Sequence, residues 1–350
     1  MERGPVQVDA RRHMHTDVPA LRSGEFCDRL AGGSTMLVVG TWNLENLYRP
    51  GGEYGPSDDE TYTAKLKGLA DTVNGLLPDL LGVQEVGEPE ALGDLLDLLD
   101  GDWHVALSTL PDRRGIRVGF VSRHPMTVVA DSADFPAALA PLQADDSAGV
   151  TTRMGRGLLV VRIEPTPTVA VDAIVCHLKS KLLTYPDGRF SPHDEGERAR
   201  YSAYALYRRA AEAVTVRSMA DQDLDGHGQD RAVVVLGDLN DEPQAASSQI
   251  LLGPPGSELG TAGADRPDKG DAFRLWSLAS LIPEDRRYSR VYRGRKELID
   301  HILVSHALRD RVQEVRSVID HPLPSVTDTP GERRDAVDSD HAPVLARIDL

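Results

Sequence analysis

The chain reads as an α/β fold, and three observations carry that reading. Short apolar runs rich in β-branched residues, such as Val233-Val234-Val235-Leu236, recur from residue 36 to the end and have strand length. Stretches with helical spacing lie between them, the clearest being Tyr62, Leu66, Leu69, Val73 and Leu76. At or beside the strand ends stand polar residues able to do chemistry: Asn43, Glu85, His177, Asp238, Asp300 and the Asp340-His341 pair.

Composition sets the limits. With 350 residues, 40% of them hydrophobic and 27% charged, the body of the chain can bury a sizeable core and does not resemble a disordered polymer. Lys and Arg number 39 against 55 Asp and Glu, a formal charge of -16. Such a balance repels polyanions at long range and argues against a module that lives on phosphate contacts. It leaves room for an enzyme that gathers divalent cations among carboxylates. Cys27 and Cys176 give no disulfide framework. Residues 1–35 are polar, carry the Arg11-Arg12-His13-Met14-His15 tract without an apolar segment behind it, and read as a flexible lead. Nothing has the length and apolarity of a membrane span. The expectation is a cytoplasmic monomer with one catalytic domain over residues 36–350 and no internal repeat or linker.

Taken in order, Met36 to Asn43 is the first core strand, and Asn43 is either a site residue or the start of a turn. The Tyr62 to Leu76 helix follows. Asp79 to Val86 is a second strand with Glu85 set between apolar neighbours, where a carboxylate must be exposed, paired or bound to metal. Leu92 to Leu99 forms a helix, and Val105 to Leu107 and Ile116 to Val121 form strands around a basic turn. Ala130 to Thr152 carries little pattern and reads as an irregular connection. Gly155 to Ile163 and Val169 to Cys176 are adjacent strands, and His177 follows with Lys179 and Lys181 at alternate positions. His177 there suits anion binding or proton transfer as well as a satisfied core position. A long helix comes next, with Ala203, Leu206, Ala210 and Val214 on one face; its Arg198, Arg200, Arg208 and Arg209 are mostly a solvated face, of which one near the N-terminus could turn back to the site.

The Val233 to Leu236 strand leads into Gly237-Asp238-Leu239-Asn240-Asp241, closed by Pro243. If extended pitch continues, Asp238 and Asn240 point the same way and can position a water and a substrate oxygen. The same tetrad also suits an ordinary turn. Arg286 to Lys296 is the one strongly basic stretch of an acidic chain, with tyrosines interleaved; it is either a charged edge hairpin or a groove for a phosphate backbone or nucleotide. It joins Glu297 to Val304, a strand bearing Asp300, and the chain closes on Asp340-His341 before a last strand.

Oxygen-rich ligands with few histidines suit Mg2+, with Mn2+ also plausible, and the absence of HExxH or Cys/His clusters argues against zinc. No P-loop or dinucleotide fingerprint is present. Phosphate ester hydrolysis needs a metal, an orienting acid or base for water and donors for phosphoryl oxygens, and the chain supplies each.

Thr41-Trp42-Asn43-Leu44-Glu45-Asn46, Gln84-Glu85-Val86, His177-Leu178-Lys179-Ser180-Lys181, Gly237 to Asp241, Ile299-Asp300-His301-Ile302-Leu303 and Ser339-Asp340-His341-Ala342-Pro343 occur in this order. Together they resemble the motifs of the endonuclease/exonuclease/phosphatase superfamily, the group of pancreatic deoxyribonuclease and the apurinic-site endonucleases. The resemblance spans Met36 to Leu350. It implies a four-layered α/β sandwich in which two mostly antiparallel sheets pack face to face between helices. It also implies that Glu85 binds the metal with Asn43 and Asp340, that Asp238 orients or deprotonates water, and that Asn240 holds a phosphate oxygen. His341 would touch the scissile phosphate with Asp300 on its far ring nitrogen, and His177 would serve the leaving oxygen. Arg156 resembles a phosphate-contacting arginine, and Lys179, Arg290 and Arg293 are candidate phosphate contacts. The function expected is metal-dependent phosphodiester hydrolysis on nucleic acid or nucleotides. Phosphomonoesterase action on a small phosphorylated metabolite is the alternative, and an inactive scaffold relative would have no need of the full constellation.

Overall fold

In the computed structural model, residues 35–256, 258–329 and 331–350 are described. The flexible lead expected over residues 1–35 lies outside them except for Thr35. Two six-stranded sheets make the frame. The first runs in the spatial order Val312–Ser317, Val344–Asp349, Met36–Leu47, Leu80–Val86, Arg117–Ser122 and His104–Leu107. The second runs Leu275–Ser277, Asp300–Ser305, Ala232–Asp238, Val169–His177, Arg153–Thr166 and Met126–Asp134.

Each sheet is antiparallel except for one central pair. Met36–Leu47 lies parallel to Leu80–Val86, and Ala232–Asp238 lies parallel to Val169–His177. Parallel neighbours end on the same side, so each pair delivers its polar ends together. The strands read as unbroken apolar runs because both faces of each sheet are covered. Between the sheets, Leu37, Val39, Phe120 and Ile348 meet Leu159, Val175, Leu236 and Val304 in one core. Outside the first sheet, Leu81 and Val83 pack on Leu69 and Val73 of the Asp59–Leu76 helix and on Leu92 of the Pro89–Leu96 helix. Outside the second, Ile174, Val233 and Val235 pack on Ala213, Val216 and Ala220 of the Glu195–Leu224 helix. The order is helix, sheet, sheet, helix. Both long helices start on an aspartate cap: Asp58 accepts from the Thr61 amide and Asp194 from the Glu197 amide, each at 2.8 Å.

The structure departs from the sequence reading in two elements. Met126–Asp134 is an edge strand that runs into the stretch from Ala130 to Thr152 read as irregular, and Leu142–Gln143 pairs with Val150–Thr151 inside that stretch. An edge strand with one open face needs no apolar alternation, which is why pattern reading passed over it. In the Glu195–Leu224 helix, Leu206 is exposed, and the buried stripe is Arg209, Ala213, Val216, Ala220 and Leu224. Buried arginines with partners mask the apolar period of that face.

Gly237 has φ 147°, and a Cβ there would stand 2.0 Å from the Cys176 carbonyl oxygen. Glycine is required by the close approach of the neighbouring strand, with Gly237 in register with Cys176 and His301 on its two sides. Among the described residues, no helix is long and apolar enough to cross a membrane.

Candidate active site

Asp238 ends its strand with His177 and Asp300 directly beside it in the sheet. From the facing sheet, Asn43 donates through Nδ2 to Asp238 Oδ2 at 3.1 Å. His177 Nε2 lies 3.3 Å and His341 Nε2 4.0 Å from the same oxygen. One buried carboxylate oxygen thus collects Asn43, His177 and His341 from three separate segments.

Extended pitch does not continue past Asp238. Asn240 is left-handed, with φ 53°. Its amide donates to Asp238 Oδ1 at 2.8 Å, and its side-chain Nδ2 donates to the Leu178 carbonyl at 3.0 Å. The segment is therefore both a turn and a site, in which aspartate accepts from the backbone two residues on.

His341 is oriented from behind. Its Nδ1 lies 2.7 Å from Asp300 Oδ2, which leaves Nε2 directed to the Asp238 side. Ser289 Oγ receives the amides of Ile299 and Asp300, both at 3.2 Å, and the Ser289 carbonyl accepts the Ala342 amide at 2.7 Å. Trp42 Nε1 donates to the His341 carbonyl at 2.9 Å, and Ser339 Oγ donates to the Asn43 carbonyl at 2.7 Å. The last loop is tied to both sheets.

Burial sets the protonation states, and neighbours decide its outcome. Burial pushes Asp238 up to about 7, Asp300 adds to the rise, and His341, Asn43 and the Asn240 amide oppose it. For His341, burial disfavours the cation, yet Asp300, Asp340 and Asp238 outweigh it and lift the ring to about 10. For His177, burial and then Arg156, His341 and Arg114 all act downward, so this ring is neutral. Asp340 would rise on burial, but His341, Arg290 and Arg333 hold it below the ordinary carboxylate value.

Glu85 is left-handed, with φ 60°. Its Oε2 accepts the Asn46 amide at 2.9 Å, and its Oε1 lies 4.0 Å from His177 Nε2. Three other carboxylates have cationic partners: Asp340 with Arg290 Nε at 3.1 Å, Glu45 with Arg333 Nε at 2.7 Å, and Asp300 with His341. Among the described residues, neither Glu85 nor Asp238 has a lysine or arginine within 4.0 Å. Glu85, which faces the neutral His177 ring, is a negative charge that a divalent cation can balance. One ligand atom each from Asp238, Asp300 and His341 lie within 4.8 Å of one another, a group also close enough to share an ion.

A model of the Endonuclease/Exonuclease/phosphatase family matches residues 40–341. The chain belongs to this family. Its fold is that of the family's phosphoesterases. Similar solved structures include truncated TDP2 of Caenorhabditis elegans, at 14% identity and TM-score 0.52, covering 90% of this chain and 98% of that one. A mannosyl-6-phosphatase of Bacteroides thetaiotaomicron matches at 15% identity and TM-score 0.51, covering 90% and 99%. ANGEL2, a 2',3'-cyclic phosphatase solved with adenosine-2',3'-vanadate, matches at 15% and 0.52, covering 91% and 96%. No curated protein matches the chain in sequence.

Within this Endonuclease/Exonuclease/phosphatase family chain, the remaining candidates sit at graded distances from the centre. Arg156 donates through a terminal nitrogen to the Leu178 carbonyl at 3.3 Å, the same oxygen that Asn240 uses. Lys179 turns away: its Nζ donates to the carbonyls of Ser180 at 2.9 Å and Leu182 at 2.7 Å, pinning its own loop. Arg290 is engaged by Asp340. Arg293, at a left-handed hairpin turn, is exposed and pairs with Asp328 at 2.7 Å, apart from the cluster's hydrogen bonds. Much of the basic stretch is already committed, since Arg287 donates to the carbonyls of Ile282 and Ser280, and Lys296 lies 4.2 Å over the Tyr288 ring.

Sequence reasoning singled out neither Glu45, Arg333 nor Ser289 as site residues. Glu45 Oε2 accepts the Asp340 amide at 2.9 Å while Arg333 grips both its oxygens, at 2.7 and 2.9 Å. Glu45 lay inside the first motif and could have been found there. Arg333 stands in a loop without periodicity and gave no signal. The arginine that turns back is Arg209 in the middle of the helix rather than one near its N-terminus, with Nε at 3.1 Å from Asp241 Oδ2 and a terminal nitrogen at 3.0 Å from the Lys179 carbonyl.

Proposed function

We propose that the chain hydrolyses phosphodiester bonds in nucleic acid or nucleotide substrates, with Mg2+ or Mn2+ as cofactor. The observation that carries this reading is the convergence on Asp238 of Asn43, His177 and the Asp300-oriented His341. Glu85, Asn43 and Asp340 offer the hard oxygen donors that would hold the cation, and the charge of Glu85, which faces only the neutral His177 ring, supports that fit. The cation supplies charge neutralisation at the phosphoryl oxygens when bound. We assign the close Asp238, Asp300 and His341 group to water and phosphate rather than to the ion, because the Asp300 to His341 hydrogen bond already employs an atom of each.

Asp238, in its ionised form, takes the proton of the attacking water; its raised pKa makes it a better base than an exposed carboxylate. His341, cationic at neutral pH, donates from Nε2 to a phosphoryl oxygen, with Asp300 fixing the ring. His177, neutral and buried, donates a hydrogen bond at the departing oxygen, which takes its proton from solvent water as the P–O bond breaks. Asn240 and Arg156, which meet at the Leu178 carbonyl, form the wall on which phosphate oxygens rest.

Phosphomonoester hydrolysis is the second reading. It is favoured by the charge of -16 and by the internal pairing of the Arg286 to Lys296 stretch, which leaves little basic surface for a long polyanion. The mannosyl-6-phosphatase and the 2',3'-cyclic phosphatase illustrate how widely substrates vary on this fold. A panel with Mg2+ decides between the two: plasmid and linear DNA, RNA, bis(p-nitrophenyl) phosphate, mononucleotides and sugar phosphates. Cleavage of the diesters supports the first reading. Inorganic phosphate released from monoesters alone overturns it.

A further inference from the structure

Glu212, in the middle of the Glu195–Leu224 helix, is a carboxylate almost without solvent contact, its side chain only 2% exposed. Burial of that degree is costly unless the charge is answered by donors. Its Oε1 accepts the Gly155 amide at 3.0 Å and Arg208 Nε at 3.1 Å, and its Oε2 accepts the Lys179 amide at 2.5 Å. Arg208 precedes Glu212 by four residues, the weaker order for such a pair on a free helix, so the pair matters for what it faces more than for the helix. Gly155 leaves room for it, since a Cβ there would stand 2.2 Å from a terminal nitrogen of Arg208.

The Lys179 amide belongs to the same peptide group as the Leu178 carbonyl, and in a planar trans peptide the N–H and the C=O point in opposite directions. Glu212 therefore holds one edge of this plane, while the other edge takes Asn240 Nδ2 at 3.0 Å and a terminal nitrogen of Arg156 at 3.3 Å. The next carbonyl, that of Lys179, accepts from Arg209 at 3.0 Å, so the plane is fixed from the helix on both sides of Lys179. Gly155, held by the other oxygen of Glu212, immediately precedes Arg156. One carboxylate thus places both groups assigned to phosphate oxygens: Asn240 through the peptide plane, and Arg156 through that plane and through its own neighbour. A charged acceptor on the N–H also strengthens the carbonyl as an acceptor, because hydrogen bonds in a chain polarise one another.

We propose that Glu212 is a positioning residue for phosphate ester hydrolysis, setting Asn240 and Arg156 through the peptide between Leu178 and Lys179 without itself touching substrate. The inference rests on the reading of Asn240 and Arg156 as the wall for phosphate oxygens. Glutamate suits the role and glutamine does not. A carboxylate presents an acceptor at both atoms, whereas an amide of the same shape presents an acceptor at one and a donor at the other. In Glu212→Gln one of the two backbone amides therefore faces a donor.

The test compares Glu212→Gln with Asp172→Asn, which weakens the ion pair of Asp172 with Arg162 on the same sheet, away from that peptide. Both are followed on bis(p-nitrophenyl) phosphate with Mg2+ and by their melts. Glu212→Gln lowers kcat about 10- to 100-fold and leaves KM within about threefold, as expected when a contact made in the transition state is misplaced. Asp172→Asn lowers the melting temperature yet keeps kcat within about twofold, because its site shares no partner with Asn240. Since the effect passes through Asn240, the losses do not multiply, and in the Asn240→Ala background Glu212→Gln costs only about a further twofold. Independently of turnover, the NMR resonances of the Asn240 side-chain amide shift in Glu212→Gln and stay in place in Asp172→Asn. A wild-type kcat in Glu212→Gln, a fully multiplied loss in the double variant, or an unmoved Asn240 resonance overturns the proposal. Should Glu212→Gln not fold, Glu212→Asp, which keeps the charge but withdraws its oxygens from the two amides, carries the same expectations. If the wild type turns over no diester, the phosphodiesterase reading fails and the Asn240 resonance alone judges the role of Glu212.

Discussion

At the scale of single residues, the site depends on how burial is answered. Asp300 is fully buried; its Oδ2 orients the His341 ring while its Oδ1 has no hydrogen-bond partner. Asp300→Asn keeps the shape and removes the charge that lifts His341, so kcat on a diester falls by about 10- to 100-fold while the fold persists. The linkage has a definite sign. His341 rises from 6.5 to about 10 in the folded chain, so its stabilisation is complete below 6.5 and is lost as pH climbs through 10. Thermal melts of the wild type decline across that window, and those of Asp300→Asn decline less. A pH–rate profile provides a second check. Activity falls on acidification through about 7 as Asp238 takes up a proton, the step belonging to the coupled set of acids and histidine. These residues were legible in the sequence because each stands at a strand end, where a polar side chain next to an apolar run demands a reason. Their proposed division into cation holders, base and oriented histidine came from the family resemblance, because the residue pattern alone does not say which oxygen faces which nitrogen.

At the scale of elements, the parallel pair at the centre of each sheet sets the register of the site. Gly237 lets the Ala232–Asp238 strand approach its neighbour, and Gly237→Ala brings a Cβ onto the Cys176 carbonyl. We expect this variant to lose roughly 1–3 kcal/mol or more in urea unfolding and to lose activity with it. Helix composition has its own signature. Asp223, near the end of the Glu195–Leu224 helix, is pushed up to about 6 by burial and by Asp172, and one of its oxygens is buried without a partner. Its ionisation is disfavoured in the folded chain, so the cost grows as pH rises from about 4 to 6 and is full above that. Asp223→Asn therefore raises the melting temperature at pH 8, and the gain vanishes near pH 4. That helix was legible in extent but not in orientation. Its buried face carries Arg209, Glu212 and Arg217, charged residues that a hydrophobic period counts as solvent-facing.

For the described part of the molecule, the frame followed from the sequence because fully covered sheets leave unbroken apolar strands and amphipathic helices between them. Met126–Asp134 did not follow, since an edge strand owes its place to a neighbour far along the chain. The basic stretch shows the limit of charge reading, because its arginines are largely satisfied within the chain and their number overstates what a substrate can meet. The negative charge of Glu85, which has no lysine or arginine within 4.0 Å among the described residues, makes a divalent cation the natural counterpart of the site. Removing divalent ions with EDTA is expected to abolish hydrolysis, and added Mg2+ or Mn2+ to restore it. The most direct measurement is p-nitrophenol release from bis(p-nitrophenyl) phosphate by wild type and Asp238→Asn, each titrated with Mg2+ and each shown to be folded by its melt. The expected result is metal-dependent turnover in the wild type and a rate at least about 100-fold lower in Asp238→Asn at every Mg2+ concentration. Turnover by Asp238→Asn close to that of the wild type would contradict the placing of this carboxylate at the centre of the chemistry.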